Sequence, residues 1–195
     1  MDIIKEVKDR ITGRVATDDE ELELLLDMVN VFGGGNHLEI GVLFGGTMAM
    51  VGLLLREIGG KSMVYGIDPL DGYYTGNATY GSSTDPDTGL PIDAKTCLSN
   101  LDKFDIDYFL AVTKSNPFPF TDVTFDTAFI DGDHWGDMPY IDFKHASAYT
   151  RNAIMFDNYD DGHKDVQLAV AKILAEGDWD IWKKSKIGVV LTRLQ

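Results

Sequence analysis

Four acidic side chains stand at or near the ends of short apolar runs that we predict to be parallel β-strands. They are Glu39, Asp68, Asp131 and Asp157. The carboxyl ends of parallel strands share one edge of an open sheet, and ligands bind at that edge. Acidic residues also serve as turn caps, but four like charges repel unless a cation or a donor-rich ligand lies between them. The pattern therefore predicts a ligand site at this edge.

Asp131 and Asp157 are the pair best suited to a metal ion. They belong to the runs F-I-D-G-D-H-W and M-F-D-N-Y and lie 26 residues apart, the length of one strand-helix-strand step. Asn158 follows the second acid directly. Two carboxylates and an amide oxygen are hard ligands suited to Mg²⁺, Mn²⁺ or Ca²⁺. These three residues are therefore candidate metal ligands.

His134 follows Asp131 by three residues and is the candidate general base. An imidazole with an ordinary pKa of about 6.5 can accept a hydroxyl proton at neutral pH, and a nearby cation would lower the pKa of that hydroxyl. Two other roles stay open for His134. It could contact the substrate or a metal-bound carboxylate, or it could form a purely structural hydrogen bond to the loop backbone.

A glycine-bearing turn, E-I-G-V-L-F-G-G, spans the end of the first predicted strand. Glycines let the backbone approach a ligand, and the following helix offers free N–H groups to an anion such as a carboxylate. Asp68 ends the second predicted strand, where its carboxylate can accept hydrogen bonds from both hydroxyls of a ribose. A turn-opening role together with Pro69 is the alternative. Leu43 stands where the dinucleotide fingerprint G-x-G-x-x-G has its second glycine, which disfavours an NAD site.

Helical stretches alternate with the strands, which predicts an α/β domain with a mostly parallel sheet. Residues 1–36 are predicted to form a helical lead-in. Residues 69–91 lack periodicity, and we predict a substrate loop or lid there. Two β-rich runs near the C-terminus predict a closing hairpin, with the last strand antiparallel at or near the sheet edge. A length of 195 residues suits one domain.

The composition narrows the classes of partner. The formal net charge is −15, from 17 Lys and Arg against 32 Asp and Glu. Such a surface repels phosphate backbones, so no nucleic-acid partner is expected. The single cysteine, Cys97, excludes an internal disulfide, and no apolar run approaches the ~20 residues that span a bilayer. We expect a cytoplasmic protein without membrane contact, and a homodimer stays open.

The order of these motifs resembles that of the class I S-adenosylmethionine (SAM)-dependent methyltransferases. The glycine turn is similar to their first motif, acidic-x-G-x-x-x-G. The two strand-end acids with Asn158 resemble the metal site of the metal-dependent O-methyltransferases, a group that includes catechol, caffeoyl-CoA and certain sugar O-methyltransferases. The resemblance implies a three-layer Rossmann-like fold with a seven-stranded, mostly parallel sheet and an antiparallel last strand. It also implies a single methyltransferase domain over residues 1–195.

The resemblance further implies a role for each candidate residue. Asp131, Asp157 and Asn158 would hold the cation, and His134 and Asp131 would be the catalytic residues. His134 stands where the catechol and caffeoyl-CoA enzymes carry a basic lysine. The donor would be bound by residues of the strand ends and the following turns: Glu39, Gly41, Gly45 and Thr47 around the methionine part, Asp68 at the ribose, Ser115 by the adenine, and Asp131.

The expected reaction is transfer of a methyl group from SAM to a hydroxyl oxygen of a small molecule, either a sugar or a phenol. Two alternatives stay open. The first is a metal-independent methyltransferase acting on N, C or O, in which the acids serve structure. The second is a nucleoside-binding module without catalysis.

Overall fold

The computed structural model of this chain describes residues 2–72 and 84–194. Six helices and seven strands lie in these ranges. The helices are α1 (Ile3–Arg10), α2 (Asp19–Phe32), α3 (Gly46–Ile58), α4 (Ala94–Leu101), α5 (Met138–Tyr149) and α6 (Lys164–Glu176). The strands are β1 (His37–Ile40), β2 (Val64–Ile67), β3 (Tyr108–Ala111), β4 (Phe125–Ile130), β5 (Thr150–Phe156), β6 (Trp179–Lys184) and β7 (Val189–Arg193).

The seven strands form one sheet in the order β3-β2-β1-β4-β5-β7-β6. The first five strands pair in parallel, whereas β7 is antiparallel to both β5 and β6. The predicted Rossmann-like sheet with an antiparallel last strand is therefore confirmed. The strand order reverses between β1 and β4, and such a reversal opens a crevice at the carboxyl ends of the two strands.

Helices cover both faces of the sheet because its central strands are apolar on both sides. Side chains of α1, α2, α3 and α4 share one apolar cluster, and side chains of α5 and α6 share the other. Residues along each strand alternate between the two clusters. In β1, Leu38 and Ile40 lie in the cluster with α5 and α6, so Glu39 faces the side of α3. This alternation places an acidic residue of the central strand against the start of a helix.

The lead-in predicted over residues 1–36 consists of α1 and α2, which lie on the α3 face of the sheet. Within the predicted substrate loop, residues 69–91, residues 73–83 lie outside the described ranges. At its end, Thr84 pairs with Pro91 in an isolated antiparallel bridge. The single-domain organisation and the lid role of residues 69–91 stay predictions. None of the helices within the described ranges is long and apolar enough to cross a membrane.

Candidate active site

The parallel register brings the acidic strand ends together. Ile40 of β1 is paired with Ile67 of β2 and with Ile130 of β4, and Ile130 is paired with Phe156 of β5. The residue after each of these positions therefore lies at the same level of the sheet. The structure thus places Asp68, Asp131 and Asp157 at one edge, with Glu39 one residue inside it, as the sequence predicts.

Gly41 lets the glycine turn leave β1 directly against the end of β4. Its φ is +90°, a backbone conformation that favours glycine. A Cβ atom at this position would lie 2.0 Å from the carbonyl oxygen of Asp131. The turn then runs to Gly45, which immediately precedes α3. A side chain at residue 41 would therefore separate the turn from the strand that carries Asp131.

Glu39 is fully buried, and the hydroxyl of Thr47, in the first turn of α3, donates a hydrogen bond to its Oε1 atom. Its Oε2 atom has no hydrogen-bond partner among the described residues. Burial raises the pKa of Glu39 well above its ordinary value, and the carboxyls of Asp131 and Asp68 raise it further against the effect of Thr47. A buried carboxyl with one free oxygen can hold a cationic group such as an ammonium.

Asp68 organises the glycine turn. Its Oδ2 atom accepts hydrogen bonds from the backbone N–H groups of Val42, at 2.7 Å, and Leu43, at 3.0 Å. Its Oδ1 atom accepts one from the N–H of Leu70 at 2.8 Å. The predicted contact with a ribose stays a prediction. The sequence analysis missed the role of Asp68 in holding the glycine turn. That role depends on contacts with Val42 and Leu43, which precede Asp68 by 26 and 25 positions.

Asp131 and Asp157 form a coupled carboxyl pair at the ends of β4 and β5. Burial raises the pKa of Asp131 to about 7, whereas its hydrogen bond with Asp157 opposes that rise. Burial and the neighbouring Asp131 raise the pKa of Asp157 well above its ordinary value. Within residues 2–72 and 84–194, nothing forms a hydrogen bond with the Oδ1 atom of Asp157. Such a pair is suited to bind a cation that would replace the shared proton.

Asn158 follows the pair with a φ of +56°, in the left-handed region that asparagine tolerates. Its backbone N–H lies against the Asp157 carboxyl and partly opposes the rise in the pKa of Asp157. In the part of the chain that the structure describes, no group of three or more His, Cys, Asp or Glu side chains could hold a metal ion. The candidate set therefore depends on two carboxylates and the amide oxygen of Asn158, and its metal role stays a prediction.

His134 lies beside this pair with its side chain 19% exposed. Its Nε2 atom is 3.3 Å from Oδ1 of Asp131, and it makes no hydrogen bond to any described residue. Burial lowers the pKa of His134 below its ordinary value, although Asp157 and three other acids oppose this. The imidazole is thus neutral near pH 7. The ring of His163, which the sequence left as either a site or a loop residue, lies 5.4 Å from the His134 ring, measured between centroids.

Ser115 lies after β3, in the segment that leads to β4, and its hydroxyl donates a 2.5 Å hydrogen bond to Oδ1 of Asp142. Asp142 is a buried residue of α5, and burial raises its pKa to about 6 while the bond from Ser115 opposes that rise. When protonated, His134 also lowers the pKa of the Asp142 carboxyl. The sequence analysis missed Asp142, because a single acid in a predicted helix is indistinguishable from one on a solvated face.

Replacement of Asp68 separates its two roles. We expect Asp68→Ala to weaken binding of S-adenosylhomocysteine (SAH) by about 10- to 150-fold, since charge-assisted hydrogen bonds are lost. The same change removes the acceptors of three backbone N–H groups and should cost about 1–3 kcal/mol of unfolding free energy. Asp68→Asn keeps one acceptor oxygen, so it should lose affinity but less stability. Calorimetry and thermal melts measure both quantities, and unchanged affinity in both variants removes Asp68 from the donor site.

The buried acids predict a pH dependence of stability in EDTA. The pKa values of Asp131, about 7, and Asp142, about 6, lie above the ordinary value of 3.8, so the folded state binds protons more tightly than the unfolded state. Their stabilising effect is complete below pH 3.8 and is lost as the pH rises to about 7. Each titrating group changes the unfolding free energy by about 1.4 kcal/mol per pH unit. His37 and His134, whose pKa values burial lowers, act in the opposite direction below their ordinary value of 6.5. Melting temperatures should therefore fall from pH 6.5 to pH 8, and a flat profile in that range would contradict the raised pKa of Asp131.

Comparison with known proteins shows which solved structures share this fold. No protein-family model matches the sequence, and a search of curated proteins finds no match. Three solved structures illustrate the match. The O-methyltransferase NovP has a TM-score of 0.72 and 17% identity over 98% of this chain and 88% of that one. The O-methyltransferase TomG from Streptomyces achromogenes, in complex with SAM, has a TM-score of 0.67 and 14% identity over 100% and 90%. An O-methyltransferase from Bacillus cereus, in complex with SAH, has a TM-score of 0.64 and 15% identity over 100% and 91%.

These likenesses establish a shared fold. The chain has the Rossmann-like fold of class I SAM-dependent O-methyltransferases, over nearly its whole length and most of theirs. Its strand-end acids and glycine turn lie at the topological switch point of that fold, where ligands bind.

Proposed function

We propose that this protein transfers a methyl group from SAM to a hydroxyl oxygen of a small molecule, a sugar or a phenol, with the help of a divalent cation. The observation that carries the proposal is the carboxyl pair formed by Asp157, which is buried, and Asp131, which is partly buried. This pair lies beside the neutral imidazole of His134. The glycine turn, suited to the donor, runs against the same strand ends. The fold shared with O-methyltransferases supports the assignment of donor and reaction class.

The donor side fits the methionine and ribose parts of SAM. The free Oε2 atom of Glu39 would accept a hydrogen bond from the ammonium group, and Thr47 holds that carboxyl in place. The backbone around Gly41 and Gly45 would approach the methionine part, and Asp68 would bind the ribose. Ser115 would lie by the adenine. The SAM-bound structure of TomG supports this use of the fold.

The acceptor side fits a hard divalent cation. Asp131, Asp157 and Asn158 would supply its oxygen ligands, and the Asp157 oxygen that lacks a partner among the described residues is the observation that fits this role. When bound, the cation supplies positive charge that favours ionisation of the acceptor hydroxyl. The chain itself provides alignment and proton removal.

His134 would accept the hydroxyl proton on Nε2, which has no hydrogen-bond partner in the described ranges. The acceptor oxygen then forms a bond to the methyl carbon as the carbon–sulfur bond breaks, and the electron pair of that bond stays on sulfur. The products are the methyl ether and SAH. The carboxyl of Asp131, 3.3 Å from Nε2, stabilises the protonated imidazole.

One observation favours metal-independent transfer as the second candidate. No third His, Cys, Asp or Glu joins Asp131 and Asp157 in a metal-binding group within the described ranges. His134 would then act with Asp131 as a base and its orienting acid, and the acceptor would be a hydroxyl or amine that needs less activation. The cytoplasmic location, a homodimer and a small-molecule partner stay proposals under both candidates.

Two measurements test the proposed function. Calorimetry should detect SAH binding and no comparable binding of NAD. A coupled assay should then detect SAH release from SAM with a pool of catechol and sugar acceptors, and EDTA should suppress that release. Binding of SAH without any turnover would favour the nucleoside-binding module, whereas turnover that ignores EDTA would favour the metal-independent candidate. Absence of SAH binding would refute the donor assignment.

A further inference from the structure

Residues 11–18, which we call the strap, connect α1 to α2 and lie across the glycine turn. A Cβ atom at Gly13 would lie 2.7 Å from the ring of Phe44, a buried residue of that turn. A Cβ atom at Gly46, the first residue of α3, would lie 2.6 Å from Cγ2 of Val15. The strap is therefore in direct contact with both the turn and the start of the helix that follows it.

Asn100 of α4 joins the strap to the glycine turn. Its side chain is fully buried, and its Nδ2 atom donates hydrogen bonds to the carbonyl oxygens of Phe44, at 2.9 Å, and Thr12, at 2.8 Å. Its Oδ1 atom accepts a hydrogen bond from the backbone N–H of Thr12 at 2.8 Å. The Oδ1 atom also accepts a hydrogen bond from Nζ of Lys103 at 2.9 Å. Neither a carboxylate nor an apolar side chain supplies the two donated bonds.

The strap is also tied to the segment that precedes α4. Arg14 forms a salt bridge with Asp85, whose side chain is fully buried, at an N–O distance of 2.9 Å. Asp85 in turn accepts hydrogen bonds from the backbone N–H and the hydroxyl of Thr88. The salt bridge of Arg14 and the hydrogen bonds of Thr12 therefore both hold the strap in place. Asn100 connects the strap to the carbonyl of Phe44.

We infer that Asn100 is a positioning residue of the donor site, which acts through Phe44 to set the glycine turn for the methionine part of SAM. The inference rests on the proposed function, since the turn matters to catalysis only if SAM binds there. Phe44 lies between Leu43, whose backbone N–H is held by Asp68, and Gly45, which precedes α3. The turn is therefore held from one side by Asp68 and from the other by Asn100.

Lys103, which follows α4, offers a matched control because it contacts the strap and Asn100. Its Nζ atom donates hydrogen bonds to the carbonyl oxygen of Arg10, the hydroxyl of Thr12 and Oδ1 of Asn100, at 2.9–3.0 Å. None of these three bonds reaches the glycine turn. Loss of Lys103 should loosen the strap and lower the melting temperature, but it should leave the Phe44 carbonyl bound to Asn100.

The test compares Asn100→Asp with Lys103→Met by calorimetry with SAH, together with thermal melts of both variants. The new carboxylate has no N–H to donate to Phe44 or Thr12, and Lys103 lies close enough to pair with it and keep the protein folded. We expect the Kd of SAH to rise about tenfold in Asn100→Asp, the effect of one lost hydrogen bond, and to change less than about twofold in Lys103→Met. Both variants should melt at lower temperatures than the wild type.

Equal SAH affinity in Asn100→Asp and the wild type would overturn the inference, as would an equal loss in Lys103→Met. If Asn100→Asp does not fold, Asn100→Ser decides, because the shorter side chain loses the hydrogen bond to the Phe44 carbonyl without adding a charge. Weakened SAH binding in that variant supports the inference, and unchanged binding overturns it. A wild type that does not bind SAH refutes the proposed function, and this inference with it. If the wild type binds SAH, the variants test the role of Asn100 separately from the proposed function.

Discussion

Asp157→Ala should abolish stabilisation by divalent cations and most of the activity, yet leave the cation-free protein at least as stable as the wild type. Asp157 is buried beside Asp131, and burial together with that second carboxyl raises its pKa. In the absence of a cation, ionising both of these adjacent carboxyls is unfavourable, and removing one of them relieves that penalty. With Mg²⁺ or Mn²⁺ at 100 times its Kd, the wild type should gain about 2.7 kcal/mol of unfolding free energy, and the variant almost none.

Thermal melts in EDTA and in millimolar Mg²⁺ or Mn²⁺ measure this difference, with Asp161→Ala as the matched control. Asp161 is an exposed acid in the same loop, so its loss should leave the cation response unchanged. If Asp157 is only a turn cap, its replacement should cost about 0.5–2 kcal/mol with or without cation. A wild type whose melting temperature ignores every divalent ion would contradict the metal-dependent mechanism and leave the metal-independent candidate.

His134→Ala should lower kcat by about 10²- to 10⁴-fold, the usual contribution of a general base. The Kd of SAH should stay within about twofold of the wild type, because a base on the acceptor side adds little to donor binding. His134→Gln keeps a polar side chain of similar length but cannot take up the proton, so it should be as slow as the alanine variant. Single-turnover rates and calorimetry give the two quantities.

His163→Ala is the informative comparison for His134, because the two rings lie 5.4 Å apart. Added imidazole should partly restore activity to His134→Ala, since a diffusing base can occupy the space that the substitution leaves. If His163→Ala is the slower variant and the one that imidazole rescues, the base is His163. Full activity in His134→Ala would leave this histidine a structural residue of the loop after β4.

The strand ends could be predicted because strand patterning is local. Apolar runs bounded by glycine and acidic residues identified β1, β2, β4 and β5, and parallel pairing then required Asp68, Asp131 and Asp157 to share one edge. The glycine turn was equally clear, because close approach of a backbone to another strand requires glycine, and Gly41 contacts Asp131 in this way. The start of β5 was less clear, because the strand begins at Thr150, before its apolar run at Ala153. It begins next to a register shift after Phe125 that has no signature in the sequence.

Contacts between distant segments could not be predicted from the sequence. Asp142 joins Ser115 across 27 residues, and Asn100 joins Thr12 across 88 and Phe44 across 56. Polar residues in helices have no periodicity of their own, so nothing in the chain distinguishes a buried Asn or Asp from a solvated one. Sequence predicted that Asp68 faces a ligand, but packing also made it the acceptor of three backbone N–H groups.

The sequence by itself determined which residue types meet at the sheet edge: acids, an amide, an imidazole and a glycine turn. The order of these motifs along the chain predicted a methyltransferase fold. Only the tertiary structure decided their protonation and their partners. A carboxyl changes its pKa when water is removed from around it, and that depends on the helices packed above the sheet, as for Asp131, Asp142 and Glu39. Residue types are therefore local information, whereas burial, which raises the pKa values of these acids, is a property of the packed layers.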